Sequence, residues 1–174
     1  MGIRLSKNNK IVVLIVAVLG LILVLSRLVM KIAFSRKGYE ILRDCDAKGC
    51  GYFGAPRGAR KHRGVDLLIE PHNVIFAPFR LKVLKFGQVY SETTKFRYIE
   101  FRGFGLFSVF KMRVMYISNN EGLATGDIIA KDGYIGTVQD IAGYHGGGMQ
   151  NHIHYEVRLL GQIINPTKFV KFQK

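Results

Sequence analysis

At 174 residues the chain is sized for one domain, or for one domain with an appendage. Its 48% hydrophobic and 22% charged residues exclude a disordered, collagenous or low-complexity polymer. A formal net charge of +14 predicts an anionic partner: nucleic acid, an acidic membrane face or an anionic polymer. Two cysteines are too few for a disulfide-built scaffold, yet enough for one bridge.

Residues 1–10 form a basic tail carrying Arg4, Lys7 and Lys10. Residues 11–26 follow as IVVLIVAVLGLILVLS, thirteen of them Ile, Val or Leu. With Leu28 to Met30 and Ile32 to Phe34 added, the pattern predicts a transmembrane signal anchor over 11–34. A cleaved signal peptide is the competing reading, but no small-x-small cleavage site follows the apolar run. Basic residues flank both ends, so the positive-inside rule leaves the orientation tied.

A short linker is expected over 35–49 and a β domain over 50–174, large enough to build a core. Strands are predicted at Val65 to Ile69, Val74 to Ala77, Leu81 to Phe86, Arg97 to Phe101, Ser108 to Ile117, Ile135 to Gln139 and Ile153 to Arg158. Turn signals separate them at 102–105, 119–122 and 131–133. No long helical period occurs in this region, so the fold class is mainly β, an antiparallel sheet domain behind one N-terminal transmembrane helix.

Three of five histidines fall in two short patterns. His62-Arg63-Gly64-Val65-Asp66 enters an apolar strand, and His152-Ile153-His154 lies within another. Alternation points His152 and His154 to one strand face. Two imidazoles and a carboxylate are a usual protein ligand set for an open zinc site, whose chemistry suits amide hydrolysis. Either motif alone occurs often by chance; the pair on strand-like segments carries more weight.

At these residues the sequence resembles the lysostaphin-type zinc metallopeptidases, which cut peptide bonds of bacterial peptidoglycan. HRGVDLL is similar to that family's first zinc motif, NVIFAPFRLKVLKFG to the segment after it, TGDIIAKDGYIGTV to its Gly-rich hairpin and NHIHYEVRLLGQIINP to its second zinc motif. The resemblance implies zinc as cofactor, held by His62, Asp66 and His154, with His152 as catalytic base or proton shuttle. The run DCDAKGCGYFGAPRGARKHRGVD is similar to the leukocyte cell-derived chemotaxins, secreted animal proteins of the same fold and zinc site without established peptidase action. That likeness implies a Cys45–Cys50 disulfide. A free thiol pair is the alternative, and a bridge would place the domain outside the cytoplasm with the N-terminus inside.

One family feature is missing. Active peptidases carry a further histidine in a Tyr-x-His segment, and here Met115-Tyr116-Ile117-Ser118 places Ser118 at that position. A hydroxyl cannot shuttle a proton near neutral pH as imidazole does. His145, in the Gly-rich loop GYHGGGMQ, is a candidate substitute or else a mobile surface histidine, and His72 is expected to face solvent. The basic run Arg57 to Arg63 reads as a solvated rim beside the metal site, since no nucleic-acid recognition module is present. Gly146 to Gly148 reads as a groove wall, with no phosphate-loop signature around it. The expected function is a membrane-anchored zinc endopeptidase acting on peptidoglycan or another anionic wall polymer, with no nucleic-acid partner. A catalytically silent, zinc-containing wall-binding module is the alternative, because of Ser118.

Overall fold

A computed structural model describes residues 9, 11–13, 15, 16 and 31–173, in two units split after Met30. In the first unit the described residues are helical, and Ile11, Val12, Val13, Ile15 and Val16 are all at least half exposed. Among the described residues no helix is long and apolar enough to cross a membrane. The span expected over 11–34 lies mostly outside those residues.

Its C-terminal end, however, belongs elsewhere. Ile32 and Phe34 are buried in the core of the second unit, where Phe34 meets the Tyr155 ring edge-on at 5.0 Å. Ile32 forms a parallel bridge with Val170, and Glu40 another with Phe172. The expected linker is likewise structural: Leu42 bridges Leu67, and Glu40 and Arg43 are buried. Apolar residues look alike whether they enter lipid or a protein core, so hydropathy set the boundary at 34 a few residues too late.

The second unit contains fourteen short strands among the described residues: β1 (Cys45–Asp46), β2 (Gly49–Cys50), β3 (Pro56–Arg57), β4 (Arg60–Lys61), β5 (Val65–Leu68), β6 (Val74–Phe76), β7 (Leu81–Gln88), β8 (Arg97–Gly103), β9 (Phe110–Met115), β10 (Ile117–Asn119), β11 (Ile128–Ile129), β12 (Tyr134–Val138), β13 (His152–Leu159) and β14 (Gln162–Ile164). Seven form an antiparallel sheet ordered β11-β7-β8-β9-β13-β14, with β5 also pairing β13. A second sheet runs β10-β12-β6, and β1-β2 and β3-β4 are two-residue ribbons.

Alternation divides the large sheet by face. Ile153, Tyr155 and Val157 of β13, Met112 and Val114 of β9, and Ile99 and Phe101 of β8 are buried in one hydrophobic core with Ile75, Ile117 and Ile135. Fully burying each large aliphatic side chain contributes about 1.5–3 kcal/mol. The odd-one-out neighbours, His152, His154, Glu156 and Arg158, therefore share the opposite face.

The strand expected over Ser108 to Ile117 is not continuous. Gly105–Val109 is a 3-10 helix, β9 begins at Phe110, and Tyr116 takes a left-handed φ of 65° that ends it. The chain then changes sheets, pairing β10 with β12. A non-glycine residue in that conformation is uncommon and worth reading functionally.

Candidate metal centre

Antiparallel pairing of β5 with β13 places Asp66 opposite His154, although 88 residues separate them in sequence. His62 sits four residues before Asp66, just past β4, and its side chain turns back over β5. The result is a buried group of His62, Asp66 and His154, each offering one atom within 4.8 Å of the others.

Tautomers follow from the partners. His62 Nδ1 lies 2.9 Å from the Tyr52 carbonyl oxygen, which can only accept, so Nδ1 carries the hydrogen and Nε2 is a lone pair. His154 Nε2 faces Glu156 Oε1 at 3.4 Å, and in the tautomer that donates there Nδ1 is a lone pair. These two lone pairs are 2.9 Å apart, and Asp66 Oδ1 is 3.1 Å from the first and 2.9 Å from the second. Three acceptors that close require a shared cation or proton. Tetrahedral zinc with bonds of about 2.0–2.1 Å would set its ligands roughly 3.3 Å apart, so the donor set fits that ion with a small expansion.

The surrounding groups tune the charges. Burial alone would raise the Asp66 carboxyl, but the close contacts with His154 and His62, which share a proton with it when no cation is present, and the nearby imidazole charges outweigh it and hold it far below the usual carboxylate range. For His154, burial pushes the imidazole down, while Asp66 and Glu156 more than compensate and raise it. Glu156 stays ionised: its burial is outweighed by His154, Arg113 and Arg158. A charge ladder crosses the sheet through it, because β13, β9 and β8 set Glu156, Arg113 and Glu100 side by side.

His152 stands beside the group without joining it. Its Nδ1 donates to the Gln150 carbonyl at 2.7 Å, so Nε2 is a lone pair, 3.7 Å from Asp66 Oδ1. Burial lowers its pKa to about 4, which keeps the imidazole neutral and basic at pH 7. Its ring meets Tyr116 edge-on at 5.5 Å. Tyr116 OH is 3.0 Å from Tyr90 OH, which in turn is 3.4 Å from His145 Nε2. Burial and the Tyr90 hydrogen bond push the Tyr116 phenol up, so it remains a neutral hydroxyl.

His145, offered as a substitute for the missing histidine or a mobile surface residue, lies 3.4 Å from Tyr90 OH, at the far end of the chain of hydroxyls that begins at Tyr116. It is half-buried and stacks on Phe96 with ring centroids 5.7 Å apart. Ser118 is exposed on β10 and makes no side-chain hydrogen bond to the histidine cluster. His72 is exposed in its turn, as expected. Cys45 and Cys50 are directly opposite across the β1–β2 ribbon and are joined in a disulfide.

Sequence reasoning missed the residues that orient this group. Glu156 carried a usable signal, since it is two positions from His154 on the same strand face. Arg43 carried none, and Arg57, expected with the run to Arg63 as a solvated rim, is instead ion-paired with Asp66. Both donate to Asp66 Oδ2, Arg43 at 2.8 and 3.2 Å and Arg57 at 3.2 Å, while Oδ1 is left for the imidazoles. Outer partners of this kind fix ligand orientation.

Gly64 is the spacer that admits the His154 ring. A Cβ there would fall 2.8 Å from His154 Nε2 and 2.4 Å from the Tyr155 carbonyl oxygen. Gly64→Ala is therefore expected to displace the ring from Glu156 and weaken zinc affinity about 10-fold or more, read by competition with a chromogenic chelator. An affinity within twofold of the unaltered protein would contradict this role for the glycine.

No family model matches the chain. It is 31% identical over 126 residues to leukocyte cell-derived chemotaxin-2 of Mus musculus, covering 72% of this chain and 78% of that protein. The Bos taurus protein of the same name is 28% identical over 121 residues, covering 69% and 75%. The catalytic domain of the antimicrobial peptidase lysostaphin from Staphylococcus simulans superposes with a TM-score of 0.54 at 20% identity, over 70% of this chain and 89% of that domain. Against lysostaphin in solution the likeness spans 47% of that chain, with a TM-score of 0.52. The mainly β, antiparallel fold is thus that of the lysostaphin catalytic domain.

Proposed function

Because the chain belongs to the leukocyte cell-derived chemotaxin-2 family, whose fold it shares with the lysostaphin catalytic domain, we propose that it is a zinc-dependent peptidase-like protein acting on the peptide bonds of peptidoglycan. The observation that carries this reading is the convergence of three buried acceptor atoms with a further, neutral imidazole, that of His152, beside them. His62, Asp66 and His154 would hold zinc. When bound, zinc polarises a carbonyl and acidifies water, which is what amide hydrolysis demands. His152 Nε2 would take the proton of the attacking water, and the Tyr116 hydroxyl would stay neutral next to it. A purely structural site has no use for a neutral base 3.7 Å from its carboxylate ligand.

The domain is proposed to lie outside the cytoplasm on an N-terminal anchor. A disulfide persists in oxidising compartments, and the exposed Ile11 to Val13, Ile15 and Val16 suit lipid contact. With Ile32 in the β core, the anchor would end by residue 30. The exposed basic side chains of Arg60, Lys61 and Arg63 around His62 would attract an anionic wall polymer.

One observation favours a second reading, a silent zinc-containing wall-binding module: Ser118 supplies no imidazole. The two are separated by incubating the purified full chain with peptidoglycan, with and without a chelator. Release of new amino termini that the chelator abolishes is the expected result. A zinc-loaded protein that sediments with peptidoglycan yet releases none is the silent module.

A further inference from the structure

The disulfide ribbon does more than close a loop. Arg43 Nη1 donates to the Gly49 carbonyl at 2.9 Å and to Asp46 Oδ2 at 2.5 Å, both within the six residues enclosed by Cys45 and Cys50. The rest of the Arg43 guanidinium goes to Asp66 Oδ2. Arg57 repeats the arrangement, donating to the Lys48 carbonyl at 3.2 Å, the Cys50 carbonyl at 2.8 Å and Asp66 Oδ2. Its guanidinium lies against the ribbon backbone: a Cβ at Gly49, where φ is +105°, would fall 1.9 Å from Arg57 Nη1. The same ribbon reaches the other side of the site. Asp46 Oδ2 accepts from the Gln150 N–H at 3.4 Å, and the Gln150 carbonyl accepts from His152 Nδ1.

We infer that the bridged Cys45–Cys50 ribbon is the positioning element of the metal centre, so that zinc retention depends on the disulfide. The inference rests on the zinc reading above. Four acceptor oxygens of the ribbon, those of the Lys48, Gly49 and Cys50 carbonyls and Asp46 Oδ2, fix two guanidiniums and one loop, and through them the orientation of Asp66 and of His152. A ribbon with only two residue pairs, Cys45 with Cys50 and Asp46 with Gly49, does not hold that shape unaided. The bridge supplies the constraint. Arg43 is 2% exposed and its planar fork reaches two carboxylates and a carbonyl at once, which lysine cannot do. Cys45 is exposed, so the bridge is open to reductants. Reduction by a water-soluble phosphine breaks the S–S bond and leaves two thiols; water supplies the two protons, and its oxygen ends on the phosphine as phosphine oxide. Metal loading and oxidation of the chain are thereby coupled, and the site assembles where disulfides do.

The test measures zinc affinity of the full chain by competition with a chromogenic chelator, with apo-state circular dichroism and melting recorded alongside. The oxidised protein, the phosphine-reduced protein, Cys45→Ser/Cys50→Ser, Arg43→Lys and Asp46→Asn are compared. A phosphine is used because dithiols chelate zinc themselves. Reduction and the double cysteine substitution are expected to weaken zinc binding 10- to 100-fold, with Arg43→Lys in the same range. Asp46→Asn, which keeps the bridge and tests the route if the cysteine variant fails to fold, is expected to lose 3- to 10-fold. Arg43→Lys added to the cysteine variant should cost less than threefold more, because the ribbon acts through Arg43. If the oxidised protein binds zinc and reduction, Arg43→Lys and Asp46→Asn all leave affinity within threefold, this inference is overturned and the zinc reading stands. If the oxidised protein binds no zinc, both are overturned.

Discussion

Asp66→Asn is expected to abolish zinc binding and, with it, any chelator-sensitive hydrolysis, while lowering the stability of the metal-free protein by about 3–5 kcal/mol. The first effect follows from the geometry. Asp66 Oδ1 is the one anionic atom facing two imidazole lone pairs, and a neutral amide oxygen there forfeits most of the attraction for a divalent cation. The second follows from what stands behind it. Arg43 is buried against Asp66 Oδ2 with Arg57 beside it, and removing the charge leaves the buried guanidinium with Asp46 as its one remaining carboxylate partner. The pH dependence has a definite sign. The folded-state pKa of Asp66 is depressed, so its contribution is present above the unfolded value of about 3.9 and is lost as pH falls through the folded one. Acid titration of metal-free protein should show stability falling below about pH 4, with a shallower fall in Asp66→Asn. Zinc content by metal analysis and chemical denaturation at two pH values check both effects. A variant that keeps one zinc per chain removes Asp66 from the ligand set.

The residues that converge here were legible in sequence to the extent that strand alternation makes them so. His152 and His154 two apart, and Asp66 at a strand entrance, needed only period-two geometry. The 88-residue closure between Asp66 and His154 did not follow from any local pattern; it is set by the register of β5 on β13. Arg43 was hidden for a related reason. It precedes Asp66 by 23 residues in a segment whose composition reads as linker, and its burial arises only because residues 41–43 pair with β5. Tyr116 defeated the pattern in another way. The run SVFKMRVMYI alternates well enough to read as one strand, yet one left-handed residue divides it between two sheets and turns the phenol toward His152. The end of the apolar run was misplaced because Ile32 and Phe34 satisfy the same hydrophobic demand in the β core that their predecessors would satisfy in lipid.

His152→Ala is the substitution that separates proton transfer from metal holding. His152 contributes no atom to the three-residue group, so zinc affinity is expected to stay within about threefold of the unaltered protein. Hydrolysis, by contrast, should fall about 10²- to 10⁴-fold, the usual cost of removing a positioned general base. The pH profile gives an independent readout. Burial places the imidazole pKa near 4, below the ordinary value of 6.5, so the base is neutral above that point and the rate is lost as pH falls through it. The acid limb of the profile is therefore expected near pH 4–5 rather than at 6–7, provided zinc remains bound over that range by direct metal analysis. In His152→Ala the residual rate should lack this limb. His154→Ala offers the contrast, losing zinc and rate together, because its Nδ1 is one of the three converging atoms. If His152→Ala instead sheds zinc as His154→Ala does, His152 is a fourth ligand, and the site is closed and structural rather than open to an attacking water.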